Sequence, residues 1–572
     1  MPKRHHPQDV PPEAPPTKRM RPDKPTSRDL LSGLSDELVL HILSFLPTQT
    51  LSLCQRLSRR LYGLAGDSEL WKQKYYSRWV WPRARRIRHL KASGLSTAKS
   101  PSSSSRSARW LGHEHLIENQ ENTDWKRQYR LRHNWSKGSC RVTELEVAQP
   151  SIPPVLVRLC KGVVFTADAS NGLRAWTTKD PKSCLAYLSF SDGSGTIESN
   201  LTPTSIAVAA QDDSDCDFEV TVGFETGGYT IYSLNSEDGH FVLRFTHPPS
   251  SNGAIIALAS ASSYLLTLSQ NQTLSLYQFS SEINHTRQGI DKSAKLISSL
   301  KSNNIFAPVS LSIRPSSTDI IASIAYSFSR IGCGWSVGLQ ELRLDQDGEN
   351  LGSRLATTVD LQFNGSAFDS LARTKGKSRQ RSTISGPIDR PFISMPLSPS
   401  LSYTQPPTSL SYCHPFLLTS HADNTLTMYL VVSTSDSLGI KIGRRLWGHT
   451  SSVSGVQVSD RGKAVSVSSR GEEIRIWELE DMISSSSASR KAALRDSSVQ
   501  VSPEKVGRRR SLDLGFVSEA IERRGDGLGL ALEDMSDELA LMRGWVGFDD
   551  EQVVVLRERD LGTQLLGCYD FT

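Results

Sequence analysis

The chain has 572 residues, more than a single hydrophobic core normally supports, so its length predicts more than one folded unit. Its eight cysteines are scattered without a CxxC pair or metal-ligand spacing, which argues against a disulfide framework and a structural zinc site. The net charge of +6 is uneven, because residues 1–140 hold 26 Lys and Arg against 12 Asp and Glu. No run of about 18 apolar residues occurs, so neither secretion nor membrane insertion is expected.

Residues 1–28 are rich in Pro and charged residues and contain almost no large apolar side chain, which predicts a disordered tail. The basic stretch from Lys18 to Lys24 fits a nuclear import signal, although it is short. Together with the scattered cysteines, this favours a protein of the nucleus, the cytoplasm or both.

Residues 29–80 contain three runs with helical periodicity, which predicts a small helical bundle. The first run has Ser35 as a candidate N-cap and ends at Pro47, and the third opens at Asp67 or Ser68. The first helix is apolar on more than one face, and so small a bundle cannot bury all of that surface. Either the rest of the chain or a partner should cover the remainder.

The three runs read L-x-D-E-L-x-x-x-I-L-S-F-L, L-S-R-R-L-x-x-L-A and D-S-E-L-W-K, and this pattern resembles the F-box along its whole length. It departs from the F-box at Ser35, where Pro is usual, and at Leu61, where an aromatic residue is usual. The resemblance implies binding to the adaptor subunit of SCF-type cullin-RING ubiquitin ligases and, through it, to the cullin and RING subunits. By position, the docking and core residues would be Leu34, Leu38, Ile42, Leu43 and Leu46.

Residues 81–138 predict a linker with a Ser-rich insertion, followed by a connector helix. The helix carries the residues Trp125, Tyr129, Asn134 and Trp135. Their spacing resembles the segment that joins the F-box to the propeller in F-box/WD-repeat proteins, and the alternative is an ordinary amphipathic helix. A rigid connector would fix the position of a bound client protein relative to the ligase.

From residue 139 to 572, pairs of short β-branched runs recur, joined by tight turns and often ending in an aromatic residue. Repetition every forty to fifty residues or so is typical of propeller blades. The predicted fold class is therefore multidomain α plus all-β, with an F-box helical bundle followed by a WD-repeat-like β-propeller. We expect about seven blades, with six or eight possible, and residues 141–147 could complete the last blade and close the ring.

The unit from Gly448-His449 to Trp477 is the best match to a WD repeat. Its turn has Gly471 where Asp is usual, so we expect an incomplete hydrogen-bond chain there. The residues with a predicted structural role in the propeller are His449, Trp477, Trp176 and Asp423. Two insertions, near 363–407 and 482–520, are predicted to be disordered.

No P-loop, GxSxG, HExxH or paired-carboxylate motif is present, so the sequence predicts no catalytic residue, metal or cofactor and does not indicate an enzyme. The resemblance to F-box/WD-repeat proteins implies instead a substrate-recognition subunit that holds a client protein for ubiquitination. The alternatives are an F-box and propeller scaffold without ligase function, a nucleic-acid-associated scaffold and a propeller enzyme. No membrane partner is expected, and nucleic acid is disfavoured because the basic N-terminal part reads as a helical module and a tail.

Some members of this family bind phosphorylated clients through arginines at the turn seven residues before the blade aromatic. Only one of the five corresponding positions is an arginine, which argues against a dedicated phosphate pocket. Arg470 is the predicted client contact. The five positions are Ala169, Glu225, Gln270, Ala422 and Arg470.

Overall fold

The protein is described from a computed structural model, and its chain divides into two compact units. The first is helical and comprises the described residues up to Trp81 together with Thr123–Lys126, and the second comprises the remaining described residues. The predicted tail at 1–28, most of the Ser-rich insertion and Arg470 lie outside the part of the chain that the structure describes. The described residues are 31, 33–82, 123–148, 155–179, 184–190, 201–210, 217–235, 239–261, 263–284, 289–302, 304–315, 319–330, 334–345, 349–359, 405–434, 437–441, 443–469, 471–480, 498–503, 545–558 and 564–572.

Short helices with local caps build the helical unit. Ser58 Oγ accepts a hydrogen bond from the Leu61 amide at 3.2 Å, and Asp67 Oδ1 accepts one from the Leu70 amide at 3.1 Å. Ser35 occupies an N-cap position without such a bond. The second predicted run is two helices rather than one, with a break before Ser58. The helices are α1 (Asp36–Phe45), α2 (Thr48–Cys54), α3 (Arg59–Leu64), α4 (Ser68–Tyr75), a π-helical turn (Tyr76–Val80), and α5 (Trp125–Lys137), which continues into the second unit.

A few large side chains form the core of the helical unit. Trp71 donates its indole N–H to the Ala65 carbonyl at 2.9 Å, and Tyr75 packs against Trp125 with ring centroids 5.5 Å apart. The buried apolar residues of this unit are Val39, Leu43, Leu51, Ala65, Leu70, Trp71, Tyr75 and Trp125.

The second unit is a seven-bladed β-propeller, as the repeat pattern predicts. Its strands are β1 (Ser139–Ala148), β2 (Leu156–Cys160), β3 (Val163–Asp168), β4 (Gly172–Thr177), β5 (Cys184–Leu188), β6 (Pro203–Ala210), β7 (Asp217–Phe224), β8 (Tyr229–Asn235), β9 (His240–His247), β10 (Ile255–Ala261), β11 (Tyr264–Ser269), β12 (Thr273–Asn284), β13 (Gly289–Lys301), β14 (Phe306–Pro315), β15 (Ile320–Arg330), β16 (Gly334–Leu344), β17 (Asn350–Thr357), β18 (Ser409–Cys413), β19 (Phe416–Ser420), β20 (Thr425–Ser433), β21 (Leu438–Ile440), β22 (Arg444–Trp447), β23 (Val453–Val458), β24 (Lys463–Ser468), β25 (Ile474–Glu478), β26 (Ser498–Gln500), β27 (Ser502–Pro503), β28 (Val546–Phe548), β29 (Gln552–Glu558) and β30 (Gln564–Asp570).

Each of blades 1 to 6 is an antiparallel sheet whose strands follow one another in the chain. Blades 1 to 4 are β2–β5, β6–β9, β10–β13 and β14–β17; blade 5 is β18–β22, with β21 and β22 both paired to β20; blade 6 is β23–β26. The predicted blade aromatics lie on the third strands of their blades. These residues are Trp176, Tyr232, Tyr277, Tyr429 and Trp477.

Blade 7 joins the two ends of the propeller. Its strands are β28, β29, β30 and β1, and β1 pairs antiparallel with β30 through partners such as Val142 and Tyr569. This confirms that residues 141–147 complete the last blade. Apolar clusters lie between neighbouring blades, for example Phe165 of blade 1 against Phe218 of blade 2 with ring centroids 5.5 Å apart. Ring closure therefore packs blade 7 against both blade 6 and blade 1 among the described residues.

The prediction that residues 482–520 are disordered is wrong for residues 498–503. These residues form β26, the outer strand of blade 6, and β27, which pairs parallel with β1. A three-residue strand carries too little alternation to be recognised between Ser-rich segments, and its pairing with the strand that holds Trp477 determines its conformation. The insertion near 363–407 lies outside the described residues except for 405–407.

The propeller has two faces that the strand order distinguishes. Because every first strand runs in the same direction, the first strands begin where the second strands turn into the third. We call this the upper face; it includes the turn between β3 and β4. The lower face is where first strands turn into second strands, and it includes Asp549, Asp550 and Glu551 between β28 and β29.

Candidate binding surfaces

Helix α1 carries a row of exposed apolar side chains. Leu38, Ile42 and Phe45 are 53, 42 and 75% exposed and lie one helical turn apart on one side of the helix. Leu34 and Leu46 are half-buried. Leu43 is buried, so within the predicted docking and core set it is a core residue. Phe45 was not in that set, although its spacing from Ile42 and Leu38 could have identified it.

The short helices that follow α1 also expose apolar side chains, namely those of Leu53, Leu57 and Tyr62. Leu57 lies in the break between α2 and α3 and is exposed. Arg60 of α3 pairs with Asp36 at the start of α1, with Nη2 2.7 Å from Oδ1, and so orients the two helices. Among the described residues of the helical unit, this apolar surface is uncovered.

From Arg127 onward, α5 packs against the lower face of blades 6 and 7. Asn134 Nδ2 donates to the carbonyl of Phe571 and Trp135 Nε1 to that of Asp550, both at 2.8 Å. The Trp135 ring stacks on the Phe571 ring with centroids 4.1 Å apart. Lys463 Nζ lies 3.8 Å from the centroid of the Trp135 ring and forms a cation–π interaction with it. Burial of Lys463 lowers its pKa to about 8, against the opposing effect of nearby carboxylates.

The remaining connector residues have structural contacts of their own. Trp125 belongs to the helical unit and also contacts Tyr76, with ring centroids 5.7 Å apart. Tyr129 is buried and its ring is parallel to that of His133. Gly138, which ends the predicted motif, has φ = +68°, and a Cβ there would overlap the carbonyl of Gln500.

Blade 6 contains a hydrogen-bond chain through its core. Trp477 Nε1 donates to Ser466 Oγ at 2.8 Å, and Ser466 Oγ lies 2.6 Å from His449 Nε2. Because Oγ already accepts from Trp477, its hydroxyl is available to donate to His449. Gly471 supplies no carboxylate to extend this chain, as expected. The carboxylate of Glu473 lies two residues later, with Oε2 3.4 Å from His449 Nδ1, but these two atoms do not form a hydrogen bond.

The electrostatics of this chain keep the histidine neutral and the carboxylate charged. Burial lowers the pKa of His449 to about 4, although the Glu473 carboxylate opposes that effect. Burial disfavours ionisation of Glu473, but hydrogen bonds from Thr450 and Arg475 outweigh it and lower its pKa to about 2. The chain therefore holds the linker before blade 6 against the turn between β24 and β25.

Blades 1 and 5 contain partial versions of this chain. In blade 1, Trp176 Nε1 donates to Thr166 Oγ1 at 3.1 Å, and Asp168 accepts from the Asn171 amide at 2.6 Å. In blade 5, Asp423 accepts from Thr425 Oγ1 at 2.5 Å. Asp168 was missed in the sequence, although the pattern Asp-Ala-Ser-Asn-Gly is typical of a tight turn.

The arginines near the upper-face turns of blades 1, 5 and 6 each face a carboxylate. Arg174 lies 2.9 Å from Asp168, Arg475 lies 2.7 Å from Glu473, and Arg445 lies 3.7 Å from Asp423. Arg470, the predicted client contact, is outside the described residues. The four other turn positions compared in the sequence are not cationic: Ala169, Glu225, Gln270 and Ala422.

Two further site types were sought in the described residues. No group of three His, Cys, Asp or Glu side chains there is arranged to hold a metal ion. No described helix has the length and apolar character needed to cross a bilayer.

Comparisons with known proteins match both units. A family model described as the β-propeller of F-box protein pof12 matches residues 140–572, and one described as F-box-like matches residues 36–77. The F-box protein pof12 of Schizosaccharomyces pombe (strain 972 / ATCC 24843) is 40% identical over 85 residues. That alignment covers 14% of this chain and 19% of the relative, so it spans about a fifth of the relative's length.

Solved WD40 propellers show more distant similarity. The propeller of Doa1 is 10% identical and covers 75% of this chain and 96% of its own, with a TM-score of 0.34. The WD40 repeats of RRP9 are 9% identical, and the match covers 75% of this chain and 97% of RRP9's, with a TM-score of 0.35. The propeller of Myceliophteria thermophila Cps50 (Swd1) is 9% identical, and the match covers 59% of this chain and 86% of that propeller, with a TM-score of 0.32. Scores of this size are too low to carry an argument, and the architecture rests on the strand order.

Proposed function

The chain belongs to the pof12 β-propeller family of F-box proteins, and from this premise we propose that it is the substrate-recognition subunit of an SCF-type ubiquitin ligase. In this proposal the helical unit binds the Skp1-like adaptor subunit, which links it to the cullin and RING subunits. The propeller binds the client protein.

The observation that carries the proposal is the exposed apolar row of Leu38, Ile42 and Phe45 on α1, within the segment that matches the F-box-like family. Burying a large apolar side chain contributes about 1.5–3 kcal/mol, so covering three of them gives an adaptor interface a substantial driving force. Leu43 and Val39 face the core and keep the helix in place while the row remains available.

A receptor of this kind needs two binding surfaces and no nucleophile. Transfer of ubiquitin takes place at a separate conjugating enzyme, and the receptor raises the effective concentration of the client there. The closed propeller suits the second role because its upper face is formed by turns on a rigid frame. The contacts of α5 from Arg127 onward lie on the opposite, lower face.

The proposal is tested by titrating purified full-length chain with purified Skp1-like adaptor and measuring the dissociation constant. We expect binding by the intact chain and a loss of at least about 100-fold in the triple variant Leu38→Ala, Ile42→Ala and Phe45→Ala. The matched control replaces three equally exposed leucines of the propeller, with Leu243→Ala, Leu296→Ala and Leu355→Ala, and should bind as the intact chain does. No binding by the intact chain, or equal loss in both variants, would contradict the proposal.

A further inference from the structure

Two apolar side chains are exposed on the upper face of blades 3 and 4. Ile256 on β10 is 45% exposed and Phe306 on β14 is 46% exposed. Both lie at the beginning of the first strand of their blade. Trp335, at the beginning of β16, meets Phe306 edge to face with ring centroids 6.1 Å apart. We call Ile256, Phe306 and Trp335 the upper apolar patch.

Hydrogen bonds between turns and linkers join the two sides of this patch. The turn of blade 3 contacts the linker before Ile256, because the Gln270 amide donates to the Ala254 carbonyl at 2.7 Å. The same turn contacts the linker before Phe306, because Gln272 Oε1 accepts from the Ile305 amide at 3.0 Å. One turn therefore holds the linkers that precede Ile256 and Phe306.

The exposure of Ile256 is not required by the propeller itself. Ile256 occupies a bulge at the start of β10, and blades 2 and 6 have bulges at the same place with Thr204 and Ser454. Those hydroxyls bond to backbone carbonyls, Thr204 Oγ1 to Ile255 O at 2.7 Å and Ser454 Oγ to Ser468 O at 3.1 Å. Isoleucine can make no such bond and instead presents an apolar side chain to solvent.

The charges of the upper face do not favour a phosphorylated ligand. Its arginines in blades 1, 5 and 6 already face the carboxylates Asp168, Asp423 and Glu473. A phosphate group would find no converging cations among the described residues, whereas an apolar side chain could bury against the patch.

We propose that the upper apolar patch binds a short unphosphorylated segment of the client through an apolar side chain of that segment. This rests on the proposed function, because it locates client recognition on the face opposite to α5 and specifies its chemistry. Leu, Ile, Phe or Trp of the client packs against Ile256, Phe306 and Trp335.

The test uses a bead-bound library of short randomised peptides in which serine and threonine are partly phosphorylated, probed with the purified full-length chain. We expect enrichment of peptides that contain one large apolar residue at a fixed position and no phosphate. Binding of the enriched peptides should fall about tenfold or more in the variant Ile256→Ser with Phe306→Ser, since each side chain would lose a buried apolar contact.

The control variant Leu243→Ser with Leu296→Ser changes two leucines of similar exposure on outer strands, and it should bind the enriched peptides as the intact chain does. All four substitutions are at exposed positions, and the thermal unfolding of both variants should match the intact chain. Enrichment of phosphopeptides, absence of any enrichment, or equal binding by the patch variant would overturn the inference.

Adaptor titration of the same preparations separates this inference from the proposed function. The patch variant should bind the adaptor with unchanged affinity, and the triple variant of α1 should still bind the enriched peptides. Failure of the peptide experiment with intact adaptor binding would refute the patch alone. Loss of adaptor binding by the intact chain would refute the ligase role while leaving the peptide result standing.

Discussion

Two buried histidines, His421 and His449, make the stability of the propeller sensitive to acid. Burial lowers the pKa of both His421 and His449 to about 4, below the ordinary value of 6.5. Each therefore stabilises the folded state while neutral, and this contribution is lost as the pH falls from about 6.5 towards 4, because the unfolded chain takes up the proton first. Glu473 has a pKa of about 2, so its contribution is lost only below about pH 4.5.

We therefore predict that the free energy of unfolding decreases by about 1 kcal/mol for each of these histidines between pH 7.5 and pH 5.5. Urea denaturation at the two pH values measures the decrease. The variant His449→Asn should be less stable at pH 7.5 and show a smaller decrease. The control variant Leu243→Ala, at an exposed position without a titratable group, should leave the decrease unchanged. A decrease in His449→Asn as large as in the intact chain would contradict the assignment.

At the scale of elements, the junction between α5 and β1 depends on a single glycine. Gly138 has a positive φ and lies against the carbonyl of Gln500, immediately after the helix that packs on blades 6 and 7. Replacing it with Ala adds both backbone strain and a steric overlap. We predict that Gly138→Ala lowers the free energy of unfolding of the propeller by about 2 kcal/mol or more.

The matched control is Gly439 in β21, which has open space around a Cβ and an ordinary φ. Gly439→Ala should change the unfolding free energy by less than about 0.5 kcal/mol. Thermal or urea unfolding followed by tryptophan fluorescence measures both variants. Equal stability of the two variants would show that the close approach at Gly138 is relieved without cost.

The sequence predicts those elements whose signal is local. The repeated strand pairs with their aromatic residues predict the blades, and the apolar excess of the first helix predicts an exposed surface. The sequence does not identify features that depend on distant contacts. Residues 498–503 form strands because of their pairing with β25 and β1, and the carboxylate of Glu473 lies beside His449, which is 24 positions before it. The exposure of Ile256 likewise depends on a bulge.

At the scale of the whole molecule, the chain combines a small helical unit with an exposed apolar surface and a closed seven-bladed propeller. In a ligase receptor, these two surfaces must act together, since the adaptor surface is useful only when the propeller carries a client. A scaffold without ligase function would also bind partners through its propeller, but binding would not shorten their lifetime. Client lifetime is therefore the property that separates the two readings.

The most direct test measures the half-lives of propeller-bound proteins in cells that express either the intact chain or the triple variant Leu38→Ala, Ile42→Ala and Phe45→Ala. We predict that at least one protein recovered with both chains has a longer half-life with the triple variant, and that its half-life with the Leu243→Ala, Leu296→Ala and Leu355→Ala control equals that with the intact chain. Unchanged half-lives of all bound proteins in the triple variant would contradict the receptor role and leave the scaffold.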